Sequence, residues 1–225
     1  MGEVNNVVSK DADTTFGSTD PLTAEESLAV IERQRAEVSR RLGVNPALFF
    51  WLWGVAYLLG FGSIFLTYGT DPLLPLASWV AAVITAVLFS AAMVVSAVYG
   101  ARAGRGIHGP SRMVGAMYGW SWTLGFLGLV GVNIGLTRLG LSEDAVSLLW
   151  SGSSLLLVGV LYLAGGTLWQ DRFQYGLGVW MLLTGAGSVF AGVPGNFAVL
   201  SVAGGGGLLV TAGYFTLRRG RSTRA

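Results

Sequence analysis

The chain has 225 residues, of which 52% are hydrophobic and 12% charged, with 34 glycines, one histidine, no cysteine and a mean hydropathy of +0.61. Soluble domains carry about twice that charged fraction, so the composition excludes a water-soluble globule and specifies a polytopic membrane protein. The lack of cysteine excludes disulfides, thiolate metal sites and cysteine nucleophiles. His108 alone leaves no ligand set for zinc or haem, and the net charge of +2 reflects arginines at membrane edges rather than affinity for nucleic acid.

Residues 1–22 are polar and acidic, with Glu3, Asp11, Asp13 and Asp20 against Lys10, and are predicted to be a disordered tail. No basic start precedes an apolar core there, so the first spanning helix is expected to insert the chain without cleavage. A helix is predicted over 23–43. Thr23 and Glu26 match a capping box, Glu25 and Glu26 lead, Arg40 and Arg41 close the last turn, and Gly43 stops it. Leu28, Ile31, Val38 and Leu42 recur at heptad-like intervals interrupted by Arg35. This amphipathic helix is expected on the cytoplasmic side, its apolar stripe covered by the headgroup layer, a second copy or another protein.

Asn45-Pro46 is a good cap and first-turn pair, and 46–69 is the first predicted span, with Trp51 and Trp53 near its start. Asp71-Pro72 punctuates a turn before the second, 74–100. The loop 100–112 holds Arg102, Arg105 and Arg112 with no acid. It lacks the Lys-Ser/Thr ending of a Walker loop, so its arginines are expected on anionic lipid headgroups, and His108 is a loop residue. The third span, 113–137, has no ionisable side chain. Gly115 and Gly119 form one GxxxG pair and Gly131 and Gly135 another, with Gly125 and Gly128 between, which predicts close helix packing. Ser142 is a candidate cap for the fourth span, 145–169. The turn Gln170-Asp171-Arg172 leads to the fifth, 173–193. Pro194-Gly195-Asn196 reads as a tight turn before the sixth, 197–217, and a basic tail, 218–225, follows, where Arg218 and Arg219 are further candidate lipid contacts.

The predicted architecture is all-α: a six-helix transmembrane domain over 46–217, in the plasma membrane. With the N-terminus inside, thirteen of the 14 basic residues fall on the cytoplasmic side and only Arg138 outside, which predicts both termini in the cytoplasm. A faint repeat relates WGVAYLLGF (53–61) to YGWSWTLGF (118–126), which share Gly, Leu, Gly and Phe in register, and Tyr175-Gly176 opens the fifth span in the same way.

Buried acids, bases or histidines mark ion coupling in membranes, and the six predicted spans hold none, which argues against a proton-driven antiporter or an aspartyl intramembrane protease. Passage of a neutral or amphiphilic solute stays open. The remaining polar candidates are Ser121, Thr123, Asn133, Ser151, Ser153, Ser154, Thr184, Ser188 and Thr211, whose usual work is hydrogen bonding between helices. The serines of 150–154 lack the GxSxG elbow, so no catalytic residue is assigned, nor any cofactor or metal ligand. Gly204, Gly205, Gly206 and Gly207 interrupt the sixth span. Each interior glycine costs about 1 kcal/mol of helix propensity, so the run predicts either close contact with a neighbour or a break that opens backbone carbonyls to a cavity.

Four stretches, LTAEESLAVIERQRAE (22–37), WGVAYLLGFG (53–62), GPSRMVGAMYGWSWTLGF (109–126) and GGGGLLV (204–210), together resemble a family of uncharacterised six-span integral membrane proteins from actinobacteria, some labelled transporter or ABC permease. The resemblance implies a transport-associated, permease-like subunit. The chain has no nucleotide-binding motif, so an ABC-type role implies a separate ATPase subunit. The alternative is a non-catalytic scaffold or regulator acting through the N-terminal helix. The expected partners are therefore the lipid bilayer and an ATPase subunit or a second copy, with no nucleic acid.

Overall fold

The structure, a computed structural model, describes residues 23–41, 46–69, 72–103 and 110–222. The acidic tail, Gly43, Asn45, Arg105, His108 and Arg224 lie outside the described residues. The chain divides into two units, Met1–Leu42 and Gly43–Ala225.

The first unit contributes helix α1, Ala24–Arg41. Thr23 N–H donates to Glu26 Oε2 at 2.9 Å and Glu26 N–H donates to Thr23 Oγ1 at 3.3 Å, the reciprocal pair of a capping box. The bond from Thr23 N–H, foremost, and a second from the Thr23 hydroxyl to Glu26 Oε2 at 3.1 Å hold the Glu26 carboxyl below the ordinary carboxylate range. Leu28 and Val30 are exposed.

The second unit contains α2 (Pro46–Thr67), α3 (Ser78–Ala103), α4 (Pro110–Thr137), α5 (Glu143–Leu168), α6 (Arg172–Phe190) and a long rod. The rod begins as α7 (Gly195–Val199), widens into a π-helical segment (Leu200–Gly205) and continues as α8 (Gly206–Ser222). Among the described residues five helices are long and apolar enough to cross a membrane: Ala47–Thr67, Ser78–Arg102, Arg112–Thr137, Glu143–Leu168 and the rod over Gly195–Arg218. The fifth predicted span is also a helix, α6, but it is outside this set. It has 19 residues and dilutes its apolar content with Arg172, Gln174, Thr184, Ser188 and four glycines.

Three features of the sequence reading are revised by the structure. Residues 74–77 are not helical, because Pro75 lacks an N–H and disfavours a helical residue before it, so α3 starts at Ser78. The turn expected at Pro194-Gly195-Asn196 is made instead by residues 191–194, where Gly192 takes the left-handed φ of +64° that a side chain resists. Gly195 and Asn196 are thereby drawn into the rod. The glycine run 204–207 does not break the rod; the local change is the wider π geometry.

Helix α2 is the hub. It packs on α3 on one side and on the rod on the other; the rod meets α6, α6 pairs along its length with α5, and α4 leans on α5. The spatial order α3, α2, rod, α6, α5, α4 leaves α3 and α4 at the flanks, with 11% and 6% of their apolar windows buried against 44% for the rod.

Glycine determines how close these partners come. On α5, Gly152, Gly159 and Gly166 recur every seven residues against Gly178 and Gly185 of α6. A Cβ on Gly178 would sit 2.7 Å from Leu163 N, and one on Gly166 would sit 2.7 Å from Tyr175 N. Backbones in such contact gain dispersion where lipid removes any hydrophobic drive. Between α2 and the rod, a Cβ on Gly205 would lie 2.7 Å from Leu58 N and 3.1 Å from the Gly54 carbonyl. Around this contact lies a core of Tyr57, Leu155, Leu177, Met181, Leu200 and Leu208, with Phe61 and Phe89 ringed against Tyr57. The faint repeat survives at one position: Gly60 and Gly125 each face a neighbouring helix's side chain at 3.2 Å, whereas Gly54 is packed and Gly119 is open.

Candidate functional site

Two of the asparagines and two of the serines inside these apolar helices meet on a short stretch of α5. Ser151 donates its hydroxyl to the Ser147 carbonyl at 2.7 Å, and Ser153 donates to the Leu149 carbonyl. Back-bonding of this kind leaves each Oγ free to accept, and two asparagines use the opportunity. Asn133 Nδ2 of α4 donates to Ser153 Oγ at 3.0 Å, and Asn196 Nδ2 of α7 donates to Ser151 Oγ at 3.1 Å. Ser151 and Ser153 are two residues apart, roughly 200° around the helix, so α5 offers one hydroxyl to each side. Both asparagines are buried, Asn133 to 1% and Asn196 to 0% exposure.

Asn196 reaches this position because the rod begins at Gly195 and its own N–H bonds to the Gly192 carbonyl at 2.6 Å. Next to it, Phe197 packs against Phe61 and Tyr68 with ring centroids 6.4 and 6.0 Å apart. Among the described residues Asn196 Oδ1 is the buried side-chain acceptor with no donor. Thr184 and Ser188 are buried on α6, and the Ser188 hydroxyl is spent on the Gly185 carbonyl at 2.8 Å.

Above this layer, Tyr68 donates its hydroxyl to Asp144 Oδ1 at 2.8 Å, joining the end of α2 to the first turn of α5. That hydrogen bond, with some burial and the charges of Asp144 and Glu143, pushes the Tyr68 phenol above its ordinary pKa. Asp144 and Ser151 are seven residues apart and so share one face of α5, separated by about 10 Å along its axis. Ser142 caps α5 by accepting from Ala145 N–H at 3.3 Å.

The π-helical segment is held from two sides. Ser201 donates to the Leu58 carbonyl at 2.8 Å and Trp180 Nε1 donates to the Ala203 carbonyl at 3.0 Å. A Cβ on Gly204 would meet Tyr57 at 3.2 Å and one on Gly207 would meet Trp180 Nε1 at 2.5 Å, while Gly206 has nothing within 4 Å. Three of the four glycines thus make close contact, and the Ala203 carbonyl meets an indole. Thr211, one turn on, returns its hydroxyl to the Gly207 carbonyl at 2.8 Å.

In α4 the outcome differs. Gly115, Gly119, Gly131 and Gly135 have no described atom within 4 Å of an added Cβ, so among the described residues of this unit no helix fills either GxxxG pair. The contacts of α4 come from its other side chains: Tyr118 donates to the Leu161 carbonyl at 2.8 Å, Trp122 packs on Tyr162, and Asn133 reaches Ser153. Ser121 donates to the Met117 carbonyl and Thr123 is exposed. Arg102, Arg112 and Arg218 are exposed at helix ends. A shallow depression of about 450 Å³ at the α5–α6 turn is lined by Gly166, Gln170, Asp171, Arg172 and Tyr175. Its one acid, Asp171, is engaged as the α6 cap, accepting from Phe173 and Gln174 N–H. Among the described residues no cluster of three His, Asp or Glu side chains is placed to hold a metal ion.

Two features of the site escape the sequence reading. Asn196 looks like a turn residue after Pro194-Gly195, and the seven-residue spacing of Gly152, Gly159 and Gly166 is a signal that the search for GxxxG passes over. Comparison with protein-family models, with curated proteins and with solved structures finds no match to this chain.

Proposed function

We propose that this chain is a multi-pass integral membrane protein of the plasma membrane and serves as a transport-associated, permease-like subunit without enzymatic activity of its own. Six helices cross the bilayer, α6 among them as the fifth in chain order, and both termini face the cytoplasm. The placement of α6 between α5 and the rod supports its crossing, since its polar groups then meet protein rather than lipid. The arginine distribution supports the orientation. The observation that carries the transport reading is the pair of buried asparagines bonded to Ser151 and Ser153 in otherwise apolar helices, a neutral polar layer suited to an uncharged or amphiphilic solute. Any ATP hydrolysis belongs to a separate subunit, and the resemblance to actinobacterial six-span proteins points the same way. Proteoliposomes holding the purified chain should pass a neutral solute, and flux should fall when Asn133 and Asn196 are both replaced by leucine. Vesicles that stay impermeable across a panel of neutral solutes would overturn the reading.

A second reading, a non-catalytic scaffold or regulator, is favoured by α1, which is a unit of its own with Leu28 and Val30 exposed. Replacing both by Glu should abolish a specific partner interaction or self-association if α1 carries the function, and should leave solute flux unchanged.

A further inference from the structure

Asn196 brings an amide into the apolar interior and leaves half of it unused. Its Nδ2 donates to Ser151 Oγ, while Oδ1 has no donor although the residue is 0% exposed. Ser151 cannot turn to serve it, because its hydroxyl proton is committed to the Ser147 carbonyl at 2.7 Å. Exchanging the two ends of the amide does not help, since an N–H would then be stranded in place of the oxygen. Buried acceptors of this kind are met by a protein donor, an ordered water or a ligand.

The surroundings restrict what that donor is. Ser151 is neutral, the adjacent Phe197 packs on the aromatic Phe61 and Tyr68, and among the described residues no carboxylate is bonded to Asn196 or Ser151 to balance a cation. One approach is marked out. Asp144 stands on the same face of α5 as Ser151, about 10 Å nearer the helix start, and Tyr68 bonds to it while touching Phe197.

We propose that Asn196 Oδ1 and Ser151 Oγ form the floor of a site that takes one neutral O–H donor, entering past the Tyr68–Asp144 hydrogen bond, which acts as its closure. The donor is water or the hydroxyl of a small solute. The site belongs to the same polar layer as the transport reading, but its test reads thiol chemistry rather than flux, so a chain that moves no solute still answers it.

The chain has no cysteine, so Asn196→Cys places a single thiol at the floor in the whole 225-residue chain, reconstituted in liposomes. Methyl methanethiosulfonate added from the aqueous phase should modify it. Adding Tyr68→Phe should raise the rate roughly fivefold, the opening gained when one hydrogen bond of ordinary net strength is lost. Ser151→Cys is the second reporter and should behave alike. Slowing by glycerol identifies a solute hydroxyl as the donor, and insensitivity to glycerol identifies water. Thiols that stay unmodified in both folded variants overturn the site, and rates equal with and without the Tyr68 hydroxyl overturn the closure. If neither variant folds, the unaltered chain decides by NMR: exchange cross-peaks between water and the Asn196 side-chain amide support the site, and their absence overturns it.

Discussion

The backbones of Gly159 and Gly178 touch: a Cβ on Gly178 would lie 2.9 Å from the Gly159 carbonyl oxygen, and one on Gly159 would lie 3.0 Å from that of Gly178. Neither position can accept a methyl group without separating α5 from α6, one of the two most extensive helix pairs in the unit. Gly159→Ala or Gly178→Ala should therefore destabilise the folded protein by about 1–3 kcal/mol, measured by denaturant unfolding in detergent.

The opposite sign is expected in α4. Among the described residues, Gly131 and Gly135 face no atom within 4 Å. Replacing either by alanine should leave intramolecular packing intact and stabilise the helix by about 0.5–1 kcal/mol. Equal losses at Gly131 and Gly159 in the same unfolding assay would contradict this distinction.

Trp180 clasps the π-helical segment through its bond to the Ala203 carbonyl at 3.0 Å. Trp180→Phe keeps a ring but removes the donor and should cost about 1 kcal/mol. Hydrogen exchange of the amides over 200–207 should rise in that variant more than in the rest of α8.

Asn133 and Ser153 join α4 to α5 with a single 3.0 Å hydrogen bond. A double-mutant cycle of Asn133→Leu and Ser153→Ala should return a coupling energy of about 0.6 kcal/mol, the average for polar pairs between membrane helices. A value near zero would mean that the flank is held by Tyr118 and Trp122 instead.

Stability should depend on pH through Tyr68. Its folded-state pKa is raised, above all by donation to Asp144, so the protonated phenol is the form that folding favours. The contribution is fully present below the ordinary tyrosine value of 10.0 and is lost as pH rises through the folded value. Melting profiles between neutral and strongly alkaline pH should show a fall in the native protein that is smaller in Tyr68→Phe. Glu26 has the reverse sign: its lowered pKa stabilises the start of α1 above the ordinary value of 4.5 and ceases to do so as pH falls through the folded one. Amide exchange in the first turn of α1 should accelerate under acid.

Much of the fold is legible because its signals are local. Apolar runs longer than a bilayer is thick, the Thr23–Glu26 and Ser142 caps and the turn at Gln170 depend on a few adjacent residues and the solvent around them, and helices stand where those signals place them. Pro75 is equally local: it keeps residues 74–77 out of the helix, so α3 begins four residues later than hydropathy indicates.

Composition and hydropathy by themselves determined that the chain is helical and built for an apolar medium, because burial of backbone polar groups in lipid permits little else. Which glycines pack was decided only by tertiary structure. A GxxxG pair reads alike whether or not a helix stands opposite, and here Gly131 and Gly135 face open space while Gly159 and Gly178 are pressed backbone to backbone. Asn196 illustrates the same limit: its burial and its bond to Ser151, 45 residues away, arise from where the rod begins relative to α5, a distance in space that no run of neighbouring residues encodes.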